Sequence, residues 1–263
     1  MHRLRRLRAV RVWTLRAAGV VFLLVGTVLS CSEAGNAQTR SPAETCLAAN
    51  ENLSLGAALP RTAAVFKSGG QLKIVAIGSS STVGLWMRDP AKTYPGVLEK
   101  ELTRLKPAVQ IGIINSGRSG DTIAGNMARF ESDVFPHKPD IIVWQVGTND
   151  VTWLESVVSL KQKLVTGVRA LRASGADVIL MDQQYSPIIL ASQHQKMQKS
   201  IASVAQEERV ALFPRFSLMR RSVDAGLSIG ALVAWDGLHN SAEGYECIGR
   251  ALARAIYAVA KDR

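Results

Sequence analysis

The sequence predicts an α/β fold, a three-layer α/β/α sandwich around a mainly five-stranded parallel sheet. Short β-rich runs alternate with longer helical patterns along most of the chain. The β-rich runs are continuously apolar rather than alternating, as strands covered on both faces are. At 263 residues the chain suits one such domain, with enough buried surface to hold together without an external staple. With 47% apolar and 20% charged residues, the composition is globular rather than disordered.

The first 37 residues stand apart. Arg3, Arg5, Arg6, Arg8, Arg11 and Arg16 precede the apolar stretch Ala17 to Leu29, and the polar segment SEAGNAQTRSPAE follows directly. A basic region followed by a hydrophobic one is the order of a secretory leader. The apolar stretch is shorter than the roughly 18 to 20 residues of a membrane helix. Residues 1–37 are therefore predicted as a signal peptide, cut after Ala34 or Ala37, with no stable membrane insertion afterwards. The predicted location is periplasmic or secreted. An uncleaved anchor is one alternative, and lipid anchoring at Cys31, within Val28-Leu29-Ser30-Cys31, is another.

Without the leader, 26 basic residues face 20 acidic ones, and the formal charge falls from +11 to +6. The remaining basic residues are scattered and form no aromatic-interleaved stripe, so nucleic acid is not an expected partner. Cys46 and Cys247 remain in the mature chain. In an oxidising compartment they either form a disulfide or persist as separate buried thiols, and geometry decides between the two.

Residues 38–70 read as a polar N-terminal extension with a short helix before the Gly69-Gly70 break, and 71–263 as the α/β domain. Strands are expected at Lys73 to Ile77, Val109 to Asn115, Ile141 to Gln145, Val178 to Asp182 and Val210 to Phe213. Helices are expected at Tyr94 to Leu105, Thr122 to Phe130, Leu154 to Ser174, Ser192 to Glu208 and Ala242 to Lys261. In the third helix Val157, Leu160, Leu164, Val168 and Leu171 recur at spacings of three and four, which gives one apolar face.

In open parallel sheets the ligand site lies beyond the carboxyl ends of the strands. Three strands lead there into polar, glycine-bearing loops: Gly78-Ser79-Ser80-Ser81-Thr82-Val83-Gly84, Ser116-Gly117-Arg118-Ser119-Gly120-Asp121 and Gly147-Thr148-Asn149-Asp150. A fourth segment, Trp235-Asp236-Gly237-Leu238-His239-Asn240, precedes the last helix. His137, His194 and His239 form no pair at metal-ligand spacing, and cysteine offers no cluster, so no metal is expected. The first loop has neither the glycine order nor the lysine of a nucleotide site, so no cofactor is expected. The G-x-S-x-G elbow is absent as well.

A serine hydrolase of another type fits better. A serine needs a base to take its proton, and the base needs a carboxylate to fix its tautomer. Asp236 and His239, three apart in one loop, can supply both. His137 and His194 have no carboxylate so placed, and Asp182 has no histidine three residues on. Residue types alone do not say which hydroxyl of the first loop reacts.

The four segments together resemble the SGNH (GDSL-type) hydrolase family from about Ile74 to Tyr257. Its G-D-S-x-T-x-G block appears as Gly78 to Gly84, its glycine block as NSGRSGDT, its G-x-N-D block as Gly147 to Asp150, and its D-x-x-H block as Asp236 to His239. The resemblance implies a flavodoxin-like SGNH hydrolase domain over 71–263 and a catalytic set of Ser80, Asp236 and His239. It also implies an oxyanion hole of Ser80 N–H, Gly120 N–H and the Asn149 amide. Ser79 stands where the family has aspartate.

The implied function is an exported serine esterase hydrolysing carboxylic esters, with short acyl groups such as acetyl, carried on a glycan or a small molecule, as the expected substrates. A lysophospholipase or thioesterase on longer chains, an acyltransferase and a non-catalytic carbohydrate-binding relative are the alternatives. Trp86 and Trp153 read equally as pocket walls and as packing.

Overall fold

The computed structural model describes residues 40–152 and 156–261. The predicted leader, Cys31, Trp153 and the start of the helix expected from Leu154 lie outside the described residues.

Five strands, β1 (Gly70–Gly78), β2 (Val109–Gly117), β3 (Ile141–Gln145), β4 (Asp177–Met181) and β5 (Ala211–Phe213), form one sheet in the order β2-β1-β3-β4-β5. All four pairings are parallel. This is the expected α/β/α sandwich, and the continuous apolar runs have their physical cause in it. Ile74, Ala76, Ile141, Val143, Ile179 and Met181 join one buried cluster, whereas Val75, Ile77, Ile142, Trp144, Val178 and Leu180 join the other. Neighbouring residues of β3, β4 and β1 from Ile74 thus point into different helical layers, and on these central strands neither face meets water.

One layer contains the helices Tyr94–Leu105 and Ala242–Ala260, which bury Leu98, Leu102, Leu252 and Ile256. The other contains Val157–Ala173 and His194–Glu207, which bury Leu164, Val168, Ile201 and Val204. Leu160 and Leu171 of the predicted apolar face are fully buried too.

Three local features differ from the sequence reading. The helix expected over Thr122 to Phe130 is two pieces, Ile123–Met127 and Phe130–Asp133. Arg129 between them turns its guanidinium inward, with bonds to Asp121, Asp133 and the Gly78 carbonyl. The segment before β1 contains two helices, Pro42–Ala48, started by a Ser41/Glu44 capping box, and Pro60–Ser68. Leu55, Leu59, Ala63 and Phe66 from this stretch enter the same core as β1. A further helix, Arg215–Asp224, has too few apolar residues to be read from periodicity, yet it buries Phe216, Leu218 and Met219.

Cys46 and Cys247 face each other as a disulfide between Pro42–Ala48 and Ala242–Ala260, with Cα atoms 6.0 Å apart and a sequence separation of 201. That spacing lies within the normal range for such a bridge. Among the described residues no helix is long and apolar enough to cross a membrane.

The chain leaves β1 for β2 on one side and takes up β3 on the other, so the sheet order reverses at β1/β3. Loops that follow adjacent strands diverge at such a point and leave a crevice at the carboxyl edge. The first and third glycine-bearing loops flank it.

Candidate active site

Ser80 follows β1 by two residues and opens the short helix Ser80–Val83. Its N–H belongs to a first helical turn, where no intrahelical acceptor is in reach. Its Oγ lies 2.8 Å from His239 Nε2. His239 Nδ1 lies 2.6 Å from Asp236 Oδ2, and since a carboxylate only accepts, Nδ1 carries the hydrogen and Nε2 is left to accept from Ser80. Asp236 Oδ1 takes the backbone N–H groups of Leu238 and His239, both at 3.0 Å. The indole N–H of Trp86 donates to Asp236 Oδ2 at 2.8 Å.

Partial burial works against the charge on Asp236, but the bonds from His239, Leu238, Trp86 and the His239 backbone outweigh it. They hold its pKa well below the ordinary carboxylate range. An array of this kind can accept a proton from a serine hydroxyl and stabilise the imidazolium that forms.

The loops are fixed from beneath by side chains that sequence patterns did not single out. Gln145, the last residue of β3, is buried. Its Oε1 accepts from Ser79 N–H at 2.8 Å, Ser79 Oγ at 2.9 Å and Thr82 Oγ1 at 3.2 Å. A Cβ on Gly78 would come within 2.7 Å of that same Oε1, so the close approach of the two strand ends requires glycine there. Gln145 Nε2 donates to Thr148 Oγ1, Thr148 Oγ1 to Gln184 Oε1, and Gln184 Nε2 to the Leu238 carbonyl. Arg215, fully buried, donates to Gln184 Oε1 and to the Asp182 carbonyl, each at 2.9 Å. One polar chain therefore runs from the serine loop to the loop of Asp236 and His239. A polar residue ending the apolar run Ile141-Ile142-Val143-Trp144-Gln145 was the available sequence signal for it.

Gly120 sits at φ +77, in the left-handed region that favours glycine. The Asn149 side-chain amide donates to the Asp121 carbonyl at 2.7 Å. An amide nitrogen carries two hydrogens, so this bond leaves a second donor. Asp121 Oδ2 is held by Arg129 Nε at 2.8 Å and Asn126 Nδ2 at 2.5 Å, while Arg129 also donates to the Gly78 carbonyl. The loop of Gly120, the loop of Asn149 and the end of β1 are thereby tied together.

Of the other sequence candidates, His137 lies before β3, at the far edge of the sheet, and His194 is buried, stacked on Phe216 with ring centroids 5.3 Å apart. Among the described residues no cluster of three His, Cys, Asp or Glu side chains is placed to hold a metal ion.

The non-GDSL lipase-like family matches this chain over residues 45–262. The chain belongs to that family. A block reading Gly78-Ser79-Ser80 instead of G-D-S accords with the family's description. Its relatives include the esterase TesA of Pseudomonas aeruginosa, 26% identical over 166 residues, which span 63% of this chain and 78% of that one. An acetylxylan esterase of Geobacillus stearothermophilus is 29% identical over 171 residues, 59% of this chain and 76% of that one.

Among solved structures, the acetylxylan esterase Axe2 of the same organism shares the fold with a TM-score of 0.61 at 24% identity, over 72% of this chain and 95% of its own. A two-domain esterase active on acetylated mannans shares it with a TM-score of 0.68 at 21% identity, over 78% of this chain and 55% of its own. This member of the non-GDSL lipase-like family is an SGNH-type hydrolase of carboxylic esters.

Proposed function

We propose that this family member is an exported serine esterase that removes short acyl groups, acetyl foremost, from glycan or small-molecule esters through Ser80, His239 and Asp236. The observation that carries the reading is the unbroken chain Ser80 Oγ, His239 Nε2, His239 Nδ1, Asp236 Oδ2, with links of 2.8 and 2.6 Å.

In this reading Ser80 Oγ attacks the ester carbonyl while His239 Nε2 takes its proton. Asp236 keeps the ring in the right tautomer and offsets the positive charge. The carbonyl oxygen becomes an oxyanion facing the N–H groups of Ser80 and Gly120 and the second amide hydrogen of Asn149. Collapse of the tetrahedral species breaks the ester C–O bond, and Nε2 returns the proton to the leaving alcohol. A water then gives its proton to Nε2 and attacks the acyl-serine, which frees the carboxylic acid and restores Ser80.

Ser79 fits the role of a loop support in place of the family's aspartate, since both its N–H and its hydroxyl are spent on Gln145. The preference for acetyl on a glycan is supported by the relatives named for acetylxylan and acetylated mannans. Residues 1–37 serve in this reading as the leader, 38–70 as the extension held by the Cys46–Cys247 bridge, and 71–263 as the hydrolase domain.

The test is hydrolysis of p-nitrophenyl esters from acetate to palmitate by the mature chain and by Ser80→Ala, with fluorophosphonate labelling alongside. A rate that peaks at acetate, disappears in the variant and coincides with a label on Ser80 is the expected result. Equal rates in both proteins would overturn the assignment of Ser80, and a peak at palmitate would overturn the short-acyl preference. Export is tested by the N-terminus of the protein recovered from the producing cell, which should begin after residue 34 or 37 rather than at Met1.

A further inference from the structure

The rim of the cleft carries two tryptophans whose placement the hydrolytic steps leave unused. Trp86 and Trp235 pair with ring centroids 5.3 Å apart and planes inclined at 47°. They are 50% and 84% exposed. An isolated apolar side chain in water calls for no explanation, but two adjacent indoles at the mouth of a reactive site form a patch that a ligand would cover.

Trp86 is also bound into the site chemically. Its indole N–H reaches Asp236 Oδ2, the oxygen that receives His239 Nδ1–H. Its ring stands edge-on to His239, with centroids 6.5 Å apart at 84°. Its backbone lies at φ +74, a conformation that bulky residues seldom adopt and that the surrounding structure must hold.

We propose that Trp86 and Trp235 form the sugar subsite of this esterase, and that Trp86 is in addition a positioning residue for the triad. A pyranose ring of the ester substrate covers the indoles, and the Trp86 N–H holds Asp236 so that His239 stays aligned with Ser80. The proposal rests on the reading of Ser80, His239 and Asp236 as the triad.

The shape of the pair selects a sugar. Two tilted, solvent-open rings make a shallow wedge that accepts the flat C–H face of a pyranose and leaves its hydroxyls in water. An acyl chain gains most from an enclosed channel that removes its whole surface from solvent. Trp235 precedes Asp236 in the chain, so a ring seated on it lies next to the carboxylate. Covering Trp86 also screens its bond to Asp236 from water, which strengthens that bond when substrate is present. The competing feature is the exposed pair Ile188 and Leu190, on the helix whose Ile188 N–H bonds the Gly237 carbonyl. They would favour a long acyl chain.

Two measurements test the proposal. In the first, Ser80→Ala is titrated with xylohexaose, mannopentaose and chitotetraose while tryptophan fluorescence is followed. At least one sugar should give a saturable change that Trp235→Ala abolishes, and no response to any of the three overturns the subsite.

In the second, the parent, Trp86→Phe and Trp235→Ala are compared on p-nitrophenyl acetate, p-nitrophenyl palmitate and acetylated xylo-oligosaccharide. Trp86→Phe keeps a ring but loses the N–H. Its kcat should fall at least about tenfold on acetate and on sugar ester alike, the worth of one hydrogen bond to a charged group, with KM on acetate unchanged. Trp235→Ala should raise KM about tenfold on the sugar ester alone. An unchanged kcat in Trp86→Phe overturns the positioning role, and a Trp235→Ala effect confined to palmitate assigns the patch to acyl chains instead. If Trp86→Phe folds poorly, the sugar titration and Trp235→Ala still decide the subsite. Absence of Ser80-dependent acetate hydrolysis in the parent is a failure of the triad reading, and sugar binding to Ser80→Ala is read independently of it.

Discussion

Asp236 gathers the His239 ring, the Trp86 indole and two backbone N–H groups at the rim of the cleft. Asp182, one residue beyond β4, is sealed in the interior with the Phe216 N–H on its Oδ1 at 2.9 Å. Both aspartates lie at the carboxyl edge of the sheet, Asp182 directly after β4 and Asp236 in the loop whose His239 reaches Ser80. Their proton affinities move in opposite directions: burial lifts Asp182 to about 7, against the pull of Phe216 N–H and the Arg215 charge, whereas the donors around Asp236 hold it ionised. The contrast shows that position at the functional edge does not make a carboxylate an orienter of histidine. A dense set of donors and a histidine in reach do.

The sharpest way to break this comparison is to neutralise each carboxylate without changing its size. Asp236→Asn should lower kcat by about 10⁴, as loss of the orienting carboxylate does elsewhere, and should also lower the thermal midpoint at neutral pH, where the ionised carboxylate stabilises the fold. Asp182→Asn should leave kcat within about threefold, because its Oδ1 can still accept from Phe216. A large loss of activity in Asp182→Asn alone would reverse the two assignments.

Next in size is Asn149→Ala, which removes both the bond to Asp121 and the donor left for the oxyanion. A fall in kcat of about 10² to 10³ is expected, with KM nearly constant, equivalent to about 2.7 to 4 kcal/mol of barrier. A rise in KM at constant kcat would show that Asn149 binds the substrate rather than the transition state.

Gln184→Leu addresses the polar chain between the two regions. It strips partners from Arg215, Thr148 and the Leu238 carbonyl. Unfolding in urea should show a loss of about 1 to 3 kcal/mol, the cost of leaving a buried polar group unpaired. Esterase activity at a temperature where the variant is folded should fall by less than in Asn149→Ala.

The two carboxylates also contrast in pH dependence. The folded chain holds the Asp182 proton more tightly than the unfolded chain does, so this group's contribution declines as pH rises from about 4 to about 7. Asp182→Asn should flatten the thermal midpoint across that window. Asp236 has the opposite sign: its contribution is complete above about pH 4 and is lost on further acidification. Asp236→Asn should therefore lose less stability than the parent between about pH 4 and pH 2.

Much of this molecule was legible in its sequence. A parallel strand covered on both faces must be apolar throughout, and the run Ile141 to Gln145 accordingly has the same limits in sequence and structure. Helices with one wet face carry a periodic pattern, and Tyr94–Leu105 was readable for that reason. Of the residues that the resemblance singled out, the structure brings Ser80, His239 and Asp236 into one hydrogen-bonded row, and they were legible through short sequence blocks rather than through any pattern of periodicity.

Other features depended on partners far away in the chain, which no local pattern reveals. The segment before β1 reads as polar, and only packing shows that Leu55, Leu59 and Phe66 belong to the core. Pairing of Cys46 with Cys247 required two helices to meet. Gln145, Gln184 and Arg215 are polar residues that the interior accepts because they are bonded to one another, directly or through Thr148, across three strand ends, and those bonds exist only after folding. The Trp86 indole likewise meets Asp236, 150 residues onward, only when β1 and the last loop are brought to the same edge. Sequence determined which groups could react. Tertiary structure decided whose proton affinity is lowered, whose is raised, and what surrounds Ser80, because each of those outcomes is set by distance and burial.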